Sequence, residues 1–194
     1  MKPRLKYAAT ALCSLILLFG CTSAKVYYPR NGSTEATPSV GHEDDQIYRG
    51  RVEQLKQALV ALSATVDKTE ALLAAETAVR ESAVLAETYQ LVRPAVAHNL
   101  LVVLGLRQRG LCYHWTEDLM KRLQALDLKS FQLHWGVAYR GSDLSEHNCV
   151  VITARGQNFF KGIVLDPWRN SGNLFWALVV KDSYPWTALP PSDW

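Results

Sequence analysis

The chain has no run of about 20 apolar residues of the kind a membrane-spanning helix requires. The run near its start, Ala8 to Phe19, is too short and is interrupted by Thr10 and Ser14. Charge of one sign is equally scarce. The 21 Lys and Arg against 18 Asp and Glu leave a net +3, and that excess is Lys2, Arg4 and Lys6 alone. Beyond residue 20 the balance is therefore 18 against 18, and no electrostatic footprint for a nucleic-acid partner remains. Glycine and proline are absent between Gly50 and Pro94, so nothing local stops helices there. Tryptophan is absent before Trp115, and all six lie from there on, which marks a change of character near Arg107. No internal repeat is present. A zinc site needs several Cys and His ligands at characteristic spacing. Cys112, His114, His147 and Cys149 supply the residue types, but their paired one-residue gaps are not that spacing. No metal and no cofactor are expected.

What the N-terminus does contain is ordered. Lys2, Arg4 and Lys6 precede the apolar run, and Leu18-Phe19-Gly20-Cys21 closes it. This is the layout of a secretory signal with a small residue at the cut. The segment resembles bacterial lipoprotein signals, with Phe19 departing from the small residue usual at its position. The resemblance implies removal of residues 1–20, acylation of Cys21 with palmitate-type chains, and a location in the cell envelope. Two or more acyl chains give stable attachment where one gives only marginal binding. Thr22 after the cysteine, where Asp would favour the inner membrane, implies the outer membrane, facing the periplasm. Of the four cysteines, Cys13 leaves with the signal and Cys21 is acylated. Cys112 and Cys149 then remain as thiols in a compartment that permits disulfides.

Residues 21–46 read as a lipidated tether, polar and rich in turn formers from Pro29 to Gly41. Residues 47–106 read as helical. Leu55, Leu59, Leu62, Val66 and Leu73 recur at helical spacing, which predicts one long helix or a helical hairpin, and Ala95 to Leu106 predicts a further, strongly apolar helix. Residues 107–194 carry the remaining elements. Leu119, Leu123 and Leu126 mark a helix. Phe131–Tyr139, Cys149–Ala154, Gly162–Leu165 and Leu174–Val180 are strand-like and are separated by short turn sequences that suit antiparallel pairing. Helices followed by a meander predict an α+β fold, with the helical region packed on the C-terminal part as one domain.

Three residues in that C-terminal part could perform chemistry together. Gly110 ends the preceding helix, so Cys112 opens the next, where free amides and the helix dipole favour a thiolate. His147 opens a strand, and Asp166-Pro167 ends the following one. In an antiparallel hairpin the start of one strand lies beside the end of the next. His147 and Asp166 are thus predicted neighbours, with Asp166 orienting the imidazole as the third member of a triad does. The ordered set Gly110-Leu111-Cys112, His147 and Asp166-Pro167 resembles the transglutaminase-like branch of the papain-like cysteine enzymes over roughly residues 105 to 170. The resemblance implies a helix packed on an antiparallel sheet. It also implies a thiol protease or amidase in which Cys112 is nucleophile, His147 general base and Asp166 its orienter. Cys149 and Trp168 depart from residues common in that family.

Gln108 is a candidate oxyanion donor beside the Cys112 amide. Cys149, two residues from His147 on the same strand, offers the alternative of a Cys112–Cys149 disulfide. His114 is poorly placed to reach the Cys112 sulfur, His98 reads as structural, and His134 as packing or lining the cleft edge. The expected function is hydrolysis of an amide bond in a protein or cell-wall peptide by a membrane-tethered enzyme. Acyl transfer to an amine is a variant of it. The alternative is a non-catalytic envelope lipoprotein that binds a protein partner through its Ala-rich helices, with Leu55, Leu59 and Leu62 at the contact.

Overall fold

A computed structural model describes residues 40–142 and 145–194; Cys21, the signal segment and the tether as far as Ser39 lie outside the described residues. Among the described residues the fold is α+β, with four α-helices and a five-stranded antiparallel sheet. No described helix is long and apolar enough to cross a membrane.

The Gly- and Pro-free stretch forms a hairpin of α1 (Val40–Val60) and α2 (Lys68–Thr88). Helix α1 begins inside the segment expected to be tether. Acidic Asp44 and Asp45 lie in its early turns, where they complement the helix dipole, and Asp45 pairs with Arg49 at 2.8 Å. The break between the helices comes from side-chain capping, since no Gly or Pro is available. Asp67 accepts from the amides of Thr69 and Glu70 at 2.7 and 3.0 Å and starts α2. Glu70 then accepts from the Lys129 and Ser130 amides and the Ser130 hydroxyl, all within 2.7 Å, which fixes α2 to the start of the sheet.

Helix α3 (Ala95–Val103) is shorter than the apolar run, and α4 (Cys112–Gln124) starts at the candidate nucleophile. The strands are β1 (Phe131–Ala138), β2 (His147–Ala154), β3 (Ile163–Asp166), β4 (Phe175–Leu178) and β5 (Thr187–Leu189), in the spatial order β4-β3-β2-β1-β5. The first four are the expected meander. The three-residue β5 pairs with the free edge of β1 (Trp135 opposite Leu189) and was not predicted.

Two cores result from strand alternation. On one face Val150, Ile152 and Leu165 pack with Leu119 and Leu123 of α4 and with Leu55, Leu59, Ala71, Ala74, Ala75 and Ala78 of the hairpin. The small alanines let α1 and α2 approach closely, and Leu55 and Leu59 are fully buried there. On the other face Cys149, Val151 and Val164 pack with Phe159, Val179 and Trp186.

Candidate active site

The loop before α4 holds Cys112 in place by three independent attachments. His98, fully buried, accepts from the Val92 amide at 3.2 Å on Nδ1 and donates from Nε2 to the Arg109 carbonyl at 2.9 Å. His114 turns back and accepts on Nδ1 from the amides of Gly110 and Leu111 at 3.1 and 3.2 Å, capping the helix. Trp115 donates from its indole to the Gly110 carbonyl at 2.8 Å. Gly110 has φ +130°, and a Cβ there would stand 2.3 Å from the His98 ring. Only glycine fits a backbone so placed. The three side chains His98, His114 and Trp115 therefore set the direction in which α4 begins, and with it the position of the thiol.

The half-buried Cys112 thiol lies over the beginning of β2. It donates to the Glu146 carbonyl at 3.7 Å and accepts from the Asn148 side-chain amide at 3.7 Å, so it contacts the residues on both sides of His147. His147 is buried and is hydrogen-bonded through Nε2 to Asp166 Oδ2 at 2.7 Å. That bond leaves Nδ1 as the ring nitrogen not held by Asp166, and the imidazole lines the same cleft as the Cys112 thiol. Asp166, fully buried, also accepts from the Arg169 amide at 3.1 Å and the Arg169 Nε at 3.0 Å. The structure thus brings Cys112, His147 and Asp166 together at one site.

The imidazole is enclosed by the rings of Trp168 and Tyr184, each with its centroid at 4.9 Å, and of Trp186 at 5.5 Å. Burial by itself lowers the basicity of His147, but its bonds to Asp166 and to Cys112 outweigh that and raise its pKa to about 9. Behind Asp166 the network continues. Arg169 makes a two-pronged pair with Asp182 at 2.9 and 2.8 Å, and Trp186 donates to the same carboxylate at 2.8 Å. Burial raises the Asp182 pKa, but the bonds from Arg169 and Trp186 overcome it and hold the group at about 2. The guanidinium also lies 3.9 Å over the Phe175 ring.

A cleft of about 550 Å³ opens at the thiol. Cys112, His147, Trp168 and Tyr184 line it, with Val96 and Asn99 of α3 on one side and Tyr139 and Glu146 on the other. The Trp168 indole donates to Asn99 at 3.1 Å and ties this wall together.

Two expectations are corrected. Gln108 lies beside a different cavity, with Tyr89 and Arg109, because the loop turns it away from the thiol. The side-chain amide that does reach the sulfur is Asn148. Its orientation is fixed by Trp135, whose indole can only donate and does so to Oδ1 at 2.7 Å, so Nδ2 is the end facing Cys112. Cys112 and Cys149 are both free thiols, not a disulfide. His147 approaches Cys112 at the strand end, whereas Cys149, two residues on, is fully buried in the core of the face opposite α4. Burial there pushes the Cys149 thiol well up in pKa. The two residues share a face, as strand alternation requires, yet only the first is near the helix start.

The other histidines are used structurally. His114 is the cap described above, and burial lowers its pKa, with Arg109 adding to the effect. His134 bonds Thr153 at 3.0 Å and lies edge-on to Phe159. Among the described residues no cluster of three or more Cys, His, Asp or Glu could hold a metal ion. Asn148, Arg169, Asp182, Tyr184 and Trp186 were not singled out in the sequence. Asn148 and Arg169 adjoin motif residues, which is a weak signal; Asp182, Tyr184 and Trp186 carry none. Comparison with protein-family models, with curated proteins and with solved structures finds no match for this chain.

Proposed function

We propose that this protein is a membrane-anchored cysteine hydrolase that cleaves an amide bond in a protein or cell-wall peptide of the cell envelope. The observation that carries the reading is the buried imidazole of His147, held by Asp166 through Nε2 and lining the same open cleft as the Cys112 thiol. The order of these three residues, at a helix start, a strand start and the end of the next strand, supports a transglutaminase-like variant of the papain-like core. The lipoprotein-like signal ending in Leu18-Phe19-Gly20-Cys21 supports the anchor.

In the proposed reaction His147 Nδ1 takes the Cys112 thiol proton as the sulfur attacks the carbonyl carbon, forming a C–S bond and placing the negative charge on the carbonyl oxygen. The Cys112 backbone N–H, among the first of α4 and without an intrahelical acceptor, and the Nδ2 of Asn148 are the donors for that oxyanion. His147 gives its Nδ1 proton to the leaving amine as the C–N bond breaks, leaving a thioester. Water attacks the thioester, His147 takes its proton, and the acid and the thiol are released. An amine in place of water would give acyl transfer, and product analysis with an added amine separates the two outcomes.

The test is a fluorescent electrophilic thiol probe applied to cells and to purified protein. Wild-type Cys112 is expected to react, His147→Ala to react far more slowly, and Cys112→Ala to be unlabelled and inactive. A Cys112→Ala strain with full biological function would sink the catalytic reading.

A further inference from the structure

Helix α3 is turned outward. Of its nine residues only Ala95 and His98 are buried, the second as the polar clamp on the loop before α4. Val96, Leu100 and Val103 are spaced i, i+4 and i+7, which puts them on one side of the helix. Leu104 and Leu106, both exposed, follow in the next turn. These five residues are 59% to 74% exposed, with Leu100 lowest and Val103 highest. None of them belongs to either core. Val92 adds to the patch beside the start of the helix. Soluble surfaces scatter large apolar residues singly, whereas a contiguous set of this kind marks a contact with something apolar. Arg93 and Arg107 adjoin the patch in sequence, Arg93 bonded to the Ser171 carbonyl and Arg107 to the Leu106 carbonyl.

We propose that the outer face of α3 and the Leu104–Leu106 turn seat in the interfacial zone of a phospholipid bilayer. This rests on the reading of Cys21 as lipid-anchored, which names the occupant. Only residues 22–39 separate Cys21 from α1, a reach of at most about 70 Å when fully extended. The domain thus stays beside the membrane, and its exposed apolar helix face is the surface suited to meet it. Val96 belongs both to this face and to the wall of the cleft. Docking through α3 would therefore open the site along the membrane surface, toward peptides attached to or lying on the bilayer.

The experiment uses the full chain, made in bacteria with its own signal, carrying Cys112→Ala and a single new cysteine at Val103, Leu106 or, as control, exposed Lys129. Cys149 is fully buried and stays unlabelled. Each new cysteine takes a nitroxide label, and the protein is placed in vesicles of phosphatidylethanolamine with a minor fraction of phosphatidylglycerol. Collision with oxygen reports lipid, and collision with a water-soluble nickel chelate reports solvent. The expected result is labels at Val103 and Leu106 reached severalfold better by oxygen, and a label at Lys129 reached by the chelate. Labels at all three positions open to the chelate, on protein that still sediments with vesicles and carries acyl chains by mass spectrometry, overturn the docking while the anchor stands. Protein lacking acyl chains overturns the anchor reading and removes the stated occupant. Labels at Val103 and Leu106 shielded from both reagents, in protein that cross-links as a dimer, assign the face to a second copy instead.

Discussion

The imidazole of His147 carries the sharpest consequences at the scale of single residues. Its raised pKa of about 9 means that it holds its proton across neutral pH. Under the proposed mechanism kcat/KM falls as pH rises through about 9, where the proton donor is lost. Asp166→Asn removes the main group that raises this value, so the alkaline limb moves down toward the ordinary histidine range; a pH–rate profile of the two proteins checks it. Stability follows the same sign. A histidine whose folded pKa is raised stabilises the fold fully below its ordinary value of 6.5 and loses that contribution as pH rises through about 9. The melting-temperature gap between wild type and His147→Gln is therefore expected to be widest on the acidic side and to narrow above about 9. Asn148→Ala is expected to lower kcat by roughly a hundredfold, the usual size for one oxyanion donor, with little change in KM. The juxtaposition of Cys112, His147 and Asp166 was legible in the sequence because each sits at an element boundary that glycine or proline marks. Asn148 was not, because its role depends on Trp135, thirteen residues earlier and joined to it only by the β1–β2 register.

At the scale of elements, the start of α4 is what the local sequence controls. Gly110→Ala would force a Cβ to within 2.3 Å of the buried His98 ring at a backbone φ of +130°. A loss of about 3 kcal/mol or more is expected from such strain and overlap, measured as a drop in the denaturant midpoint. His114→Ala removes two cap bonds and is expected to cost about 1 kcal/mol, and to slow reaction of the thiol with the electrophilic probe. Meander strands β1 to β4 were readable from alternation and turn sequences. Strand β5 was not, since Thr187–Leu189 is too short to show a period and is set by pairing with Gly136 and its neighbours. The break between α1 and α2 was legible only as an alternative to one long helix. Its cause, the Asp67 cap together with the reach of Glu70 to residue 130, joins positions about 60 apart in the chain.

For the whole molecule the helical hairpin is a structural partner of the sheet. Leu55 and Leu59 lie in the same core as Val150 and Ile152. Leu55→Ala and Leu59→Ala are each expected to cost 2–5 kcal/mol, roughly the range for burying a cavity of that size, seen in thermal or urea melts. Loss of partner binding in such variants would therefore report unfolding before it reported a lost contact. The periodicity of leucine predicted helices there, but periodicity alone does not say whether a stripe meets another molecule or the chain's own sheet. At α3, read from the sequence only as a strongly apolar helix, Val96, Leu100 and Val103 are exposed, so apolar character alone did not say which way the helix faces.

The three rings around His147 have a further effect. With Trp168, Tyr184 and Trp186 packed about it and Nε2 bound to fully buried Asp166, the imidazole is held on its inner side and that nitrogen is shielded from solvent. Proton traffic through the residue is thus one-way: the inner proton is a permanent fixture, and only the cleft-side nitrogen exchanges with bulk. In a proton NMR spectrum the inner proton should stand far downfield and persist at pH values where exposed imidazole protons have vanished into the solvent.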